Sequence, residues 1–508
     1  MNSGFTAIDA VVLVAYLAGT TAFGVWLGRR QRDARDYFVA GRNIPWPAVM
    51  FSVVATETSA LTFISIPGLA YVGNLGFLQV VIGYLLGRIV LAVTLLPRYY
   101  QGEIVTAYAM LEQRFGLATR RFTSIVFMGT RALADSVRVF ATAIPVALIL
   151  TGTGAVPPRY MMPTAILILG ALTVLYTYKG GMRAVVWTEL IQAGVYGFGG
   201  IVALVLLGRA APGGWHGILG AAGAAGKLQV FDLYTGLDRP FTVLAGLLGG
   251  GFLSMASHGA DQLIVQRLLS ARSLRDAQKA VIGSGVTIIA QMALFLIIGI
   301  GLWAHFGGRA FATPDDVFPT FIIQAMPPGL LGLVVAAIVA ATMSTHSAAI
   351  NALAASATHD IYLPLTGRSA GDPRTLRVGK LFALFWGVVL TAGALLFRQQ
   401  GTPVVVIALS IASFTYGGLL GGFFLALFVP RAHQRDAIVG MSVGIATMAV
   451  VVFAKQLATA YPSLAATLGP LGAIAWPWYV LIGTTLTLLT GTLSSFARRP
   501  RADGAPAT

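Results

Sequence analysis

FSVVATETSALTFISIPGLAY, residues 51–71, is the stretch on which the reading of this chain turns. Its length and apolar ends suit a membrane span, since about 20 residues at 1.5 Å rise cross a ~30 Å hydrocarbon core. Its middle does not suit plain lipid. Thr56, Glu57, Thr58 and Ser59 put a carboxylate and three hydroxyls at mid-depth, with Ser52, Thr62 and Ser65 flanking them. A carboxylate there costs roughly 2.5–3.5 kcal/mol on insertion scales, so Glu57 is expected to face protein or a water-filled cavity. The hydroxyl residues, with Pro67 and Gly68, also make a helix that can open and free carbonyls to bind a cation. Close packing of small residues would explain Ser52 and Ser65 but not Glu57.

The rest of the chain agrees with a membrane setting. It has 508 residues, of which 56% are hydrophobic and only 10% charged, with a mean hydropathy of +0.80. Soluble proteins carry about 25% charged residues, so the composition predicts a polytopic, all-α membrane protein. The net charge of +16 sits mostly in short loops between apolar runs, so nucleic acid is not needed to explain it. The absence of cysteine excludes disulfides, thiolate metal sites and cysteine nucleophiles.

About thirteen spans are predicted, near 7–28, 46–71, 75–97, 122–151, 161–178, 184–207, 241–258, 280–304, 329–358, 378–397, 402–428, 436–454 and 475–496. With the N-terminus outside, about 24 Lys/Arg fall in cytoplasmic segments and about 7 outside, which sets an N-out, C-in orientation in the cell membrane. No connection is long enough for a folded catalytic module and no phosphate-binding loop appears, so neither an enzyme nor an ATP-driven pump is expected. Setting aside the first span and the last two leaves ten. Two sets of five, 46–207 and 241–428, run inverted to one another, separated by a loop at 208–240 and flanked by 1–45 and 429–508. Such repeats put a binding site at mid-membrane, around the broken first helix of each half. In the second half Gly249-Gly250-Gly251 marks the expected break.

A second polar stretch is AAIVAATMSTHSAAINALAASATHDIY, residues 336–362. On a helix Ala341, Ser344 and Thr345 share a face, at i, i+3 and i+4. Hydroxyls and a freed carbonyl are neutral hard ligands suited to Na⁺, with Ala55 and Thr58 as donors from the broken span. Back-bonding of Ser and Thr to carbonyls in a packed small-residue helix is the competing reading. In the fourth span Arg131, Asp135 and Arg138 lie on one face, either as a structural ion cluster or as an anion site.

Four stretches together resemble the sodium:solute symporter family of sodium–glucose, sodium–proline and sodium–sialic acid transporters. They are DYFVAGR (36–42), YTYKGGMRAVVWTELIQ (176–192), SHGADQLIVQRLLSARS (257–273) and ATMSTHSAAINALAASATHDIY (341–362). The resemblance covers roughly residues 36–429. It implies a leucine-transporter-like 5+5 inverted-repeat fold with one extra helix in front and two behind, and symport of Na⁺ with a small polar solute by alternating access. Carried over residue by residue, the sodium ligands are the carbonyls of Ala55, Thr58 and Ala341 and the hydroxyls of Ser344 and Thr345. Solute-facing positions fall on Glu57, Ser59 and Thr62, on the fourth span with Arg131 and Asp135, and on Ser257 and His258. Glu57 with Arg131 suits a zwitterion or a carboxylate better than a sugar. An H⁺-coupled symporter using Glu57, or a transporter-like solute sensor, are the alternatives; a monomer in lipid is expected to suffice.

Overall fold

The computed structural model describes residues 5–27, 37–38, 40–58, 60–101, 104–153, 156–398 and 404–497. Within helices, positions 60–61, 145, 148–153, 176, 179–181, 341–342 and 405–406 are described by backbone alone. The ordered elements are helices α1 (Ala7–Leu27), α2 (Trp46–Glu57), α3 (Ala60–Val72), α4 (Phe77–Val93), α5 (Ala107–Phe115), α6 (Leu117–Thr153), α7 (Pro158–Ala210) and α8 (Gly214–Ala224). They continue as α9 (Gly251–Gly259), α10 (Gln262–Leu268), α11 (Leu274–His305), α12 (Leu330–Ser356), α13 (Pro373–Leu396), α14 (Val404–Phe428), α15 (Gln434–Val452) and α16 (Trp478–Ala497), with shorter turns between them.

All thirteen expected spans fall on helix. Among the described residues nine stretches are long and apolar enough to cross a membrane, and the bent pair α2–α3 makes a tenth. The other three expected spans, on α4, α6 and π-helical 245–250 with α9, are not among these stretches. Polar groups inside these helices cost more than lipid returns, so such segments belong in the interior of a bundle.

The break in the first half is where the sequence puts it. Trp46–Glu57 and Thr62–Val72 meet at 58°, with Thr58 outside helical geometry at φ −79°, ψ 84°. The second break is displaced. Gly249-Gly250-Gly251 stays helical, in a π-turn over Ala245–Gly250 that runs straight into α9. These glycines serve close approach: a Cβ on Gly250 would sit 2.5 Å from Val80 O, and one on Gly246 2.7 Å from Gln79 O, both next to or within α4. The chain leaves the helix at Gly259–Ala260 instead, and Asp261 then caps α10 by accepting from Leu263 N at 2.8 Å.

A second departure is the expected connection at 179–183. Helix α7 runs through it, joining two apolar stretches, Pro158–Leu175 and Met182–Ala210. A glycine pair lowers helix stability by roughly 0.5–1 kcal/mol per residue, which does not force a helix to end.

Helix α12 is the buried axis of the bundle, in contact with α1, α2, α6, α7 and α13. Its N-terminal end is fixed by α1. Asp9, wholly buried, accepts from Gly329 N and Gly332 N at 2.7 Å each through Oδ1. Its Oδ2 takes Thr6 N at 2.8 Å and Thr6 Oγ1 at 2.6 Å. A side chain from one helix thus satisfies orphan N–H groups at the start of another. The remainder of α1 presents Val11, Val14 and Trp26 outward, as α13 presents Leu384, Phe385 and Val388.

Candidate functional site

Three polar centres surround the bend between α2 and α3. The first is the bend itself. Helix α2 ends at Glu57, so the carbonyls of its last turn, Ala55 among them, stand where intrahelical donors run out and the helix dipole is negative. Thr58 N donates to Val54 O at 2.8 Å, and its hydroxyl donates to the same oxygen at 2.7 Å. That hydroxyl also accepts from Gln291 Nε2 of α11 at 2.8 Å, so the carbonyl is the group Thr58 has to offer an ion. Opposite stand Ser344 and Thr345, 1% and 3% exposed, on α12, which packs against α2 and α3. The structure thus brings Ala55, Thr58, Ser344 and Thr345 onto facing elements. Ala341 is a helical position whose side chain is not described, and Ser59 lies outside the described residues.

The second centre lies beside it. Glu189 of α7 accepts from Arg267 Nη2 of α10 at 2.7 Å, from Ser344 Oγ at 3.2 Å and from Ser52 Oγ in a very short bond. Thr56 Oγ1, which donates to Ser52 O, stands 3.3 Å from Glu189 Oε1. A hydroxyl that donates to a carboxylate keeps its lone pairs, so the bond to Glu189 leaves the Ser344 oxygen able to accept.

The third centre is a cavity in which about 110 Å³ is open to the centre of a water molecule. Glu57, Thr62, Arg131, Ser257 and His258, all expected from the sequence, line it. Asp135 does not: it is 1% exposed and lies behind the two arginines. Glu57 and Arg131 both line the cavity but do not pair with each other. Glu57 is gripped by Arg88 of α4, whose Nη2 lies 2.6 Å from each carboxylate oxygen, while Arg88 Nη1 donates to Ser284 Oγ of α11 at 2.6 Å. Helix periodicity shows which residues share a face but not which helix that face meets. His258 Nε2 is 3.1 Å from Glu57 Oε1 but off the line of a hydrogen bond, so it adds proximity rather than a second grip. Ser257 Oγ is 2.8 Å from the other ring nitrogen.

Across the cavity, Arg131 stands 3.0 Å from Asp135, 3.4 Å from Asp261 and 3.0 Å from the Tyr416 hydroxyl, which itself donates to Asp261 in a very short bond. Arg138 is held differently. Among the described residues its one polar contact is Asp135 at 3.6 Å, its Nε has no hydrogen-bond partner, and it lines the cavity. All three guanidinium groups have an Nε without a partner, but among the described residues Arg138 is the one that makes no hydrogen bond at all.

Asp261, Tyr416 and Glu189 had no individual role in the sequence reading. Acidic residues in an apolar context, as at Asp261 and Glu189, are a usable signal; nothing in the sequence around Tyr416 distinguishes it from a core tyrosine.

The model of the sodium:solute symporter family matches residues 37–444. The sodium/sialic acid symporter NanT of Aliivibrio fischeri is 29% identical over 97% of this chain and 93% of its own length. The human sodium/iodide cotransporter and the bovine sodium-coupled monocarboxylate transporter 2 are each 28% identical over 87% of this chain, and over 69% and 72% of their own lengths. A substrate-bound, outward-open structure of a Na⁺-coupled sialic acid symporter superposes with a TM-score of 0.82 at 27% identity, over 98% of this chain and 99% of that one. A nucleobase–cation-symport transporter in a closed conformation shares the fold at a TM-score of 0.54 and 14% identity, over 90% of this chain and 93% of that one.

Proposed function

Since the chain belongs to the sodium:solute symporter family, and is a Na⁺-coupled solute transporter rather than an enzyme, we propose that its solute is a small organic anion, a carboxylate first of all. The observation that carries this is Arg138. A guanidinium lining a partly enclosed cavity, with one 3.6 Å contact among the described residues, has a fork of donors matched to a carboxylate. Arg88 and Arg131 are already committed to carboxylates of the protein. The names of the relatives agree, since sialic acid, monocarboxylates and iodide are anions.

In this reading the carbonyls of Ala55, Thr58 and Ala341 and the hydroxyls of Ser344 and Thr345 bind Na⁺, and Thr62, Ser257 and His258 complete the solute cavity. The helices form thirteen spans, with 46–207 and 241–428 as inverted repeats that alternate access to that cavity in a single chain in the cell membrane. The charge asymmetry of the loops supports an N-terminus outside and a cytoplasmic C-terminus. Cysteines placed at Asn2 and Gly504 test this with an impermeant thiol reagent on intact cells; labelling at Asn2 and not at Gly504 is expected, and the opposite pattern would reverse the orientation.

The function is tested by thermal shift of the purified protein with monocarboxylates, sialic acid, amino acids and neutral sugars, with and without Na⁺. Ligand binding to the native state stabilises by about 2.7 kcal/mol at a hundred times Kd. Stabilisation by a carboxylate solute only when Na⁺ is present is expected; stabilisation by neutral sugars alone would overturn the anion reading. Ser344→Ala and Thr345→Ala each remove one ligand oxygen, and half-saturating Na⁺ is expected to rise roughly tenfold to a hundredfold.

A further inference from the structure

The α2–α3 bend carries two of the proposed sodium ligands, Ala55 and Thr58, and Glu57 stands between them in the chain. Its side chain goes the other way, into the wall of the solute cavity. There it meets a fixed frame. Arg88 is wholly buried, grips both carboxylate oxygens at 2.6 Å, and is braced by Ser284, whose hydroxyl in turn donates to Val281 O at 2.7 Å. Thr58, the next residue, is bound to Gln291 one helical stretch along the same α11. Two adjacent side chains at the bend are therefore clamped to α4 and α11.

An opened backbone has two free dihedrals per residue, and carbonyls that must converge on one ion gain affinity when that freedom is removed beforehand. The two charges of the pair cancel at close range, so the pair contributes direction rather than net charge. Buried ion pairs of this kind are better suited to fixing one arrangement than to adding stability.

We propose that Glu57, held by Arg88, is a positioning residue of the sodium site: the ion pair sets the backbone on either side of Glu57 so that the carbonyls of Ala55 and Thr58 point at the ion. The inference rests on the assignment of Na⁺ to these carbonyls. It has a further consequence, because the same carboxylate forms part of the solute cavity. Displacing it on the solute side disturbs the ion side, and linkage requires the reverse. Glu57 is then a point through which the two affinities are coupled.

The experiment measures Na⁺-dependent thermal stabilisation of purified protein without solute, for Glu57→Gln, Arg88→Gln, the double variant and Ser284→Ala, beside Ser344→Ala. The single charge removals are expected to lower the yield of folded protein, and the double variant, which leaves no unpaired charge, to restore it. In the folded fraction of the double variant half-saturating Na⁺ is expected to stay raised by about tenfold. Ser284→Ala keeps every charge paired and loosens only the brace, so a rise of about threefold is expected with normal yield. Wild-type Na⁺ dependence in the double variant and in Ser284→Ala, with Ser344→Ala weakened, would make the pair a purely structural one and overturn the inference alone. Wild-type Na⁺ dependence in Ser344→Ala as well would remove the sodium assignment, and the inference with it.

Discussion

Two buried carboxylates near the bend, Glu189 and Asp135, are satisfied in opposite ways. Glu189 takes donors from Ser52, Ser344 and Arg267, which arrive from three separate helices, with Thr56 at the margin. Asp135 has two guanidinium groups within 3.0 and 3.6 Å, yet neither of its oxygens receives an aligned hydrogen bond. Both are almost inaccessible to solvent, at 0% and 1% exposure, so burial does not separate them. Geometry does. A buried charge with a full donor set is locked and has nothing left for a ligand, whereas one held by charge contact alone belongs to a network with room to rearrange. In the proposed reading the first pattern is scaffold around the ion site, and the second is the place where a solute enters the network.

The difference is broken most forcefully at Glu189. Glu189→Gln leaves Arg267 buried opposite a neutral group, and breaking a buried pair of this kind costs about 3–5 kcal/mol. Loss of most folded protein is expected, read as yield and melting temperature after purification. If the variant folds normally and only transport changes, Glu189 is a ligand-site residue and the contrast with Asp135 fails.

A smaller effect on stability, with a larger one on binding, is expected at Arg138. Removing its single 3.6 Å contact in Arg138→Gln leaves Asp135 facing Arg131, so stability should move by less than in Glu189→Gln. Carboxylate affinity is expected to fall roughly tenfold to a hundredfold, the equivalent of a lost charge-assisted hydrogen bond, while half-saturating Na⁺ without solute stays put. Titration of solute at saturating Na⁺ reads the first and Na⁺-dependent stabilisation the second. A variant that keeps its carboxylate affinity would leave the cavity without its anion reader.

Much of this site is legible in the sequence, for a reason particular to membranes. A polar residue inside an apolar run is expensive, so Glu57, Thr62, Arg131, Ser257 and His258 advertise themselves, and all five do line one cavity. What the sequence cannot carry is partnership. Arg88 lies 31 residues from Glu57 and Arg267 lies 78 from Glu189, on helices whose facing is decided by packing of the whole bundle. The glycine runs mislead for a related reason: Gly249-Gly250-Gly251 serves contact with neighbouring backbone, and a glycine kept for close approach looks the same in a sequence as one kept for a break.

The carboxylate of Asp9 has a consequence in time. Thr6 satisfies one of its oxygens at once, but the N–H groups of Gly329 and Gly332 that fill the other lie 320 and 323 residues further along the chain. At about 5–20 residues per second, the ribosome supplies them about 16–64 s after Asp9 itself. For that interval α1 holds an acceptor with no protein partner to fill it, at the edge of a bundle whose central helix has not been made. Its final seat waits on α12. Helix α1 is therefore made well before it is completed, and a nascent chain stopped short of Gly329 keeps α1 in a provisional position.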